Sequence, residues 1–112
     1  MREIKFRAWC KKQKEMRYDI HLSKYFYEFI EFTNDYEVMQ YVGLKDKNGV
    51  KIFEGDIVRC DYEICTIVWD EQYLTYAVNF KEDGNTNLGD FESKDLEVIG
   101  NIYENKEFVR VD

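Results

Sequence analysis

Apolar and polar residues alternate from Glu3 to Trp9. Ile4, Phe6 and Ala8 share one face, and Lys5, Arg7 and Trp9 share the other. Successive strand side chains point to opposite faces, so this period of two predicts a β-strand. Cys10 to Glu15 (CKKQKE) is a charged connection, and Met16 to Leu22 supplies a hairpin partner. Ser23 to Phe32 (SKYFYEFIEF) fits two periods. Leu22, Phe26, Phe29 and Ile30 make a helical stripe that Ser23 could cap, whereas Phe26, Ile30 and Phe32 make one strand face. The Tyr and Phe content favours the strand. Thr33-Asn34-Asp35 is a turn.

Beyond it, Tyr36 to Val42 is a strand. Lys45 to Gly49 is a polar loop closing on Asn48-Gly49, a dipeptide that tolerates positive φ at both central positions of a type I′ hairpin. Lys51 to Phe53 returns. Glu54-Gly55-Asp56 turns again, with the Asp56 side chain placed to satisfy backbone donors of that turn. Ile57 to Asp61, Glu63 to Trp69 and Tyr73 to Phe80 are further short strands, joined through Tyr62, Asp70-Glu71-Gln72 and Lys81 to Gly84. Gly84 to Asp90 is a loop. Leu96 to Tyr103 is a final strand in which Gly100 marks a bulge or bend. Short strands with turns about every eight to twelve residues indicate a mainly β chain, an antiparallel sandwich or small barrel, with room for one short helix. No strand–helix–strand alternation calls for a parallel sheet. The expected organisation is a single domain over residues 1–112, divided softly near Asp35 into a hairpin region (1–35) and a barrel region (36–112).

Composition agrees. The chain has 112 residues, with 45% hydrophobic and 35% charged, which suits one soluble globular domain. Its nine Tyr, eight Phe and two Trp favour strands, and no proline interrupts them. The net charge of −7 disfavours non-specific binding to phosphate backbones. It has two readings: solubility, or an acidic surface for a basic partner. The N-terminus lacks a secretory apolar run and no window is long enough to span a membrane, so a cytoplasmic protein is expected. Cys10, Cys60 and Cys65 are then expected as free thiols.

Four blocks resemble the YopX-like proteins, a family of small proteins encoded by phages and prophages. They are Arg2 to Trp9 (REIKFRAW), Met39 to Gly49 (MQYVGLKDKNG), Ile52 to Val58 (IFEGDIV) and Glu97 to Asn105 (EVIGNIYEN). They occur in the family's order across nearly the whole chain, while Asp61 to Asp95 carries little of the likeness. Cys10 stands where the family often has Asp, Val42 where it often has Thr, and Lys106 where it usually has Pro. The resemblance implies a mostly β fold whose C-terminal part is an SH3-like barrel. It implies no established activity and transfers no catalytic residues.

Candidate chemistry is sparse. His21 is the single histidine, so any Ser-His-Asp or Cys-His arrangement must use it. It alternates with apolar neighbours, as an ordinary strand histidine does. Cys10, His21, Cys60 and Cys65 have the count and type of a tetrahedral zinc site, but not the usual ligand spacing. The acidic pairs Asp70-Glu71, Glu82-Asp83 and Glu54/Asp56 read as turn residues. Basic residues from Arg2 to Lys14 are interleaved with Glu3 and Glu15, as on a solvated or intersubunit face. The best interaction candidate is the aromatic cluster Tyr25, Phe26, Tyr27, Phe29, Phe32 and Tyr36. One strand face cannot bury all six, so the cluster either presents an interface or completes a small core. The resulting expectation is a non-enzymatic protein-binding or self-assembling β module, without cofactor, that binds itself or a host factor. The alternatives are a nucleic-acid-binding SH3-like module and a small metal-dependent enzyme.

Overall fold

The computed structural model describes residues 2–108. Its elements are β1 (Phe6–Cys10), β2 (Glu15–Arg17), α1 (Phe26–Glu31), β3 (Tyr36–Lys45), β4 (Lys51–Phe53), β5 (Asp56–Cys60), β6 (Glu63–Asp70), β7 (Thr75–Phe80), β8 (Gly84–Asn87) and β9 (Glu97–Asn101), with short 3₁₀ turns between several of them. The fold is mostly β, with two antiparallel sheets, one of them a half-barrel. The sheet orders are β2-β1-β3-β4 and β8-β7-β6-β5-β9. The chain divides after Tyr41 into two compact units, each described by itself below.

In the first unit, β1 is central. Ala8 pairs with Arg17 of β2 on one side and with Val38 of β3 on the other. Burial of Arg7, Ala8 and Cys10 follows from that central place. The partner strand predicted over Met16 to Leu22 is only three residues long. Asp19 adopts a left-handed backbone (φ 57°), and Ile20–Leu22 closes as a 3₁₀ turn.

The strand favoured over Ser23 to Phe32 is instead α1, and the reason is local. Ser23 Oγ accepts the Tyr25 N–H at 3.0 Å, drawing the chain into a turn. The helix then places Phe26 and Phe29 three residues apart on one edge, where tertiary contacts override the β preference of aromatic residues.

The second unit is built on the five-stranded half-barrel. Ile52, Val58, Cys65, Ile67, Val78, Leu88 and Leu96 form its core. The registers Val58↔Cys65 and Ile67↔Val78 send alternate side chains into that core. The bulge expected at Gly100 is present as a register shift between Ile57 and Val58, which face Gly100 and Val98. A bulge increases local twist and so curls the sheet.

Two further expectations are corrected. Gly49 has positive φ (81°) but Asn48 does not, so the loop is not type I′. The Asp46 C=O accepts the Gly49 N–H at 3.0 Å across the turn, and Asp46 N–H donates to the Val50 C=O at 2.8 Å. Gly84 to Asp90 is not all loop: its first four residues pair with β7 as β8, Val78 opposite Thr86.

Candidate interaction surface

The six aromatics predicted as a cluster lie on and around α1, and they split into two sets. Phe26 packs on Phe6 of β1 with ring centroids 5.3 Å apart, and Phe29 packs on Tyr36 of β3 at 4.7 Å. Each such pair adds about 0.5–1.5 kcal/mol beyond its buried area. These contacts hold the helix down along one edge, yet no residue of α1 is fully buried. Tyr25, Tyr27 and Phe32 are half or more exposed.

Helical geometry explains the split. At about 100° per residue, Phe29, Phe26, Ile30 and Tyr27 trace one continuous apolar arc of about 160°, with Glu28 and Glu31 on the remainder. Phe26 and Phe29 occupy the covered end of the arc. At the other end Ile30 is 51% and Tyr27 60% exposed. Leu22, just before the helix, is 76% exposed, and Tyr18 is exposed as well. Lys24 Nζ lies 5.1 Å from the Tyr25 ring centroid, a cation–π contact at the edge of this surface. Ile30 belongs to the surface although the aromatic count passes over it. The helical stripe through Leu22, Phe26, Phe29 and Ile30 was the signal that contained it.

The residues considered for catalysis or metal binding have other surroundings. His21 Nδ1 accepts the Phe6 N–H at 3.1 Å, so the ring secures the start of β1. Cys10 is buried, with Sγ 3.8 Å from Gln13 Oε1. Cys65 sits in the core of the second unit. Burial first, then the nearby Cys60 and Glu63, push its thiol up to about 12. Burial also raises Cys60, helped by Asp61, Asp95 and Glu63. Such thiols are poor nucleophiles at neutral pH. Among the described residues, no group of three or more His, Cys, Asp or Glu is placed to hold a metal ion. No helix of the described residues is long and apolar enough to cross a membrane.

The YopX protein family model matches residues 5–110. The chain belongs to the YopX family. A solved structure similar to this YopX chain is the crystal structure of protein EF1440 from Enterococcus faecalis, at 27% identity and a TM-score of 0.69, covering 98% of this chain and 100% of that one. No curated protein matches.

Three of the four family-like blocks lock one another in place in the second unit. Asp46 is buried, and its Oδ1 accepts N–H bonds from Asn48 and Val50, both at 2.9 Å. Its Oδ2 accepts the Val98 N–H at 2.8 Å, tying the turn before β4 to β9. Gly55 N–H donates to the Ile67 C=O at 2.8 Å, and Ile102 N–H donates to the Gly55 C=O at 2.9 Å. Asp56 Oδ2 accepts the Phe53 N–H at 2.8 Å, the backbone role anticipated for it. Asn101 Oδ1 accepts the N–H groups of Tyr103 and Glu104, and Asn105 Oδ1 accepts that of Asn101. The three family-like blocks in this unit are therefore scaffold, and the exposed aromatics lie outside them.

Proposed function

We propose that this YopX-family chain is a non-enzymatic accessory protein of phage or prophage, acting in the host cytoplasm by binding protein, and that its apolar α1 surface receives a second copy of the chain. The observation that carries the reading is the uncovered half of the α1 arc, Tyr27 and Ile30 with Leu22, Tyr25 and Phe32 around it. Aromatic residues are enriched at interface centres, and a contiguous exposed apolar patch is commonly a contact site.

Charge favours self-association at this surface. Residues 1–41 carry eight Lys and Arg against seven Asp and Glu, whereas residues 42–112 carry eight against sixteen. Two copies can approach through the near-neutral segment with little like-charge repulsion, which the acidic segment would not permit. The five-stranded half-barrel is read as an SH3-like scaffold.

Size exclusion with light scattering tests the proposal. Wild type is expected to exceed the 13.6 kDa chain mass as concentration rises. A chain carrying Tyr27→Ser and Ile30→Ser is expected to remain at one chain mass with an unchanged circular dichroism spectrum. A wild type that stays monomeric at millimolar concentration, or a variant that associates as wild type does, would overturn it.

A further inference from the structure

The α1 surface leaves unexplained a different place in the fold, the free edge of the half-barrel. β8 is terminal in the order β8-β7-β6-β5-β9. Its four residues, Gly84 to Asn87, pair with β7 in an uninterrupted register from Phe80↔Gly84 to Ala77↔Asn87. Natural edge strands are usually blunted by charge, proline or a bulge. β2 carries Glu15 and Arg17, and β9 carries Glu97 and a bulge. β8 reads GNTN, with no charge, no proline and no register shift, so of these devices it has only shortness.

A groove of about 530 Å³ runs beside this edge, and Asp70, Tyr73, Thr75, Asn85, Asn87 and Asp90 line it. The register explains its chemistry. Asp70 faces Thr75, Asn79 faces Asn85 and Ala77 faces Asn87, so these side chains share the sheet face opposite the core. Asn79 Nδ2 donates to Asn85 Oδ1 at 2.7 Å, and Asn85 Nδ2 donates to Asp70 Oδ2 at 3.0 Å. Asp70 Oδ1 accepts the N–H groups of Gln72 and Tyr73. The Asn85 bond first, joined by those two backbone bonds, lowers the Asp70 pKa against an opposing desolvation, so the carboxylate is anionic at neutral pH. Asn85 is thus held on both sides, by Asn79 and by Asp70. The outstanding feature is negative charge, from Asp70 and Asp90, in a segment with twice as many acids as bases. Tyr73, 71% exposed, adds an aromatic face at the rim.

We propose that β8 receives an extended basic peptide as a sixth strand, with its cationic side chains in the groove that Asp70 and Asp90 line. Main-chain pairing to the edge supplies binding, and alternate side chains supply selectivity. A side chain at every second position of the guest reaches the groove face, so Lys or Arg belongs at alternate positions. The Tyr73 ring can take the aliphatic stem or the cation of one of them. This edge lies in the second unit, and the proposal stands independently of the α1 surface.

The test titrates ¹⁵N-labelled full chain with an eight-residue peptide of alternating Lys and Thr at low salt, following backbone amides by NMR. Expected are shifts concentrated in residues 84–87 and slowed hydrogen exchange of β8 amides. Replacing Lys by Glu in the peptide is expected to abolish the shifts. N-methylation of alternate peptide amides keeps the charge but removes strand pairing, and is expected to lower affinity at least tenfold. Asp90→Asn, which disturbs no bond of the Asp70 turn, is expected to weaken binding roughly two- to fivefold, as for an exposed ion pair. Absence of shifts overturns the proposal. So does binding that N-methylation leaves unchanged, which marks diffuse charge attraction, and so does an equal response to a single-stranded oligonucleotide.

Discussion

Replacing Asp46 by alanine removes a buried carboxylate that holds three backbone N–H groups at 2.8–2.9 Å, two in its own turn and one, Val98, on β9. A hydrogen bond to a charged acceptor contributes about 1.5–3 kcal/mol, and a buried donor left without a partner costs about 1–3 kcal/mol. Water can serve the turn amides once the side chain is gone, whereas the Val98 N–H is fixed in the sheet, so the three contributions do not add in full. The expected loss is about 3–4 kcal/mol, large for one substitution. Asp46→Asn keeps Oδ1 for the turn but sets an amide donor against the Val98 N–H, with an expected cost of about 2 kcal/mol. Urea unfolding followed by Trp69 fluorescence measures both. A Trp9→Phe background makes Trp69 the sole indole, and it lies in the second unit. A loss below about 1 kcal/mol for Asp46→Ala would refute the reasoning that this carboxylate joins turn to sheet.

The same group gives a signed pH dependence. Burial alone would raise the Asp46 pKa, but the N–H groups of Val98, Val50 and Asn48, aided by Lys47, outweigh it and hold the pKa below the ordinary Asp value. The unfolded chain therefore takes up this proton first as pH falls. The contribution is complete above about pH 4, where an unfolded Asp is ionised, and is lost as pH drops through the lower folded value. Wild type should lose stability below about pH 4 more steeply than Asp46→Asn, as read from urea midpoints. Gly100→Ala would place a Cβ against the Asn105 side chain, and that side chain is fixed by its bond from Asn101 N–H. A cost of about 1–3 kcal/mol is expected from the forced shift, measured by thermal unfolding. Cys65, with its thiol near 12, should resist a disulfide reagent at pH 8 in the folded protein and react once urea unfolds it, as timed thiol titration with peptide mapping will report.

The strands with alternating patterns were legible to within a few residues, because period two survives wherever one face meets the core: Glu3 to Trp9 was read where β1 runs Phe6–Cys10, and Glu63 to Trp69 and Tyr73 to Phe80 where β6 runs Glu63–Asp70 and β7 Thr75–Phe80. β8 was not, since Gly-Asn-Thr-Asn has low β-propensity and is held by pairing to β7 instead of by burial. α1 was placed second to a strand for the opposite reason: both periods fit Ser23 to Phe32, its aromatics favoured the strand, and the helix packs Phe26 on Phe6 and Phe29 on Tyr36. The six aromatics lie on and around α1, and their division into holding and exposed members depends on which edge of a helix meets the sheet. Asp46 passed unnoticed as part of a polar loop. Its signal was an Asp two residues before Asn-Gly, the position from which a carboxylate caps the backbone of its own turn. Its reach to Val98, 52 residues away, has no local signature.

Hydroxyl-radical footprinting at micromolar and millimolar protein tests the central claim most directly. Tyr62, on the hairpin between β5 and β6, is fully exposed at 101% and serves as the internal control. If the α1 surface is the contact between copies, Tyr25, Tyr27 and Phe32 lose labelling at high concentration while Tyr62 does not. A ratio of Tyr27 to Tyr62 labelling that is the same at both concentrations would contradict it.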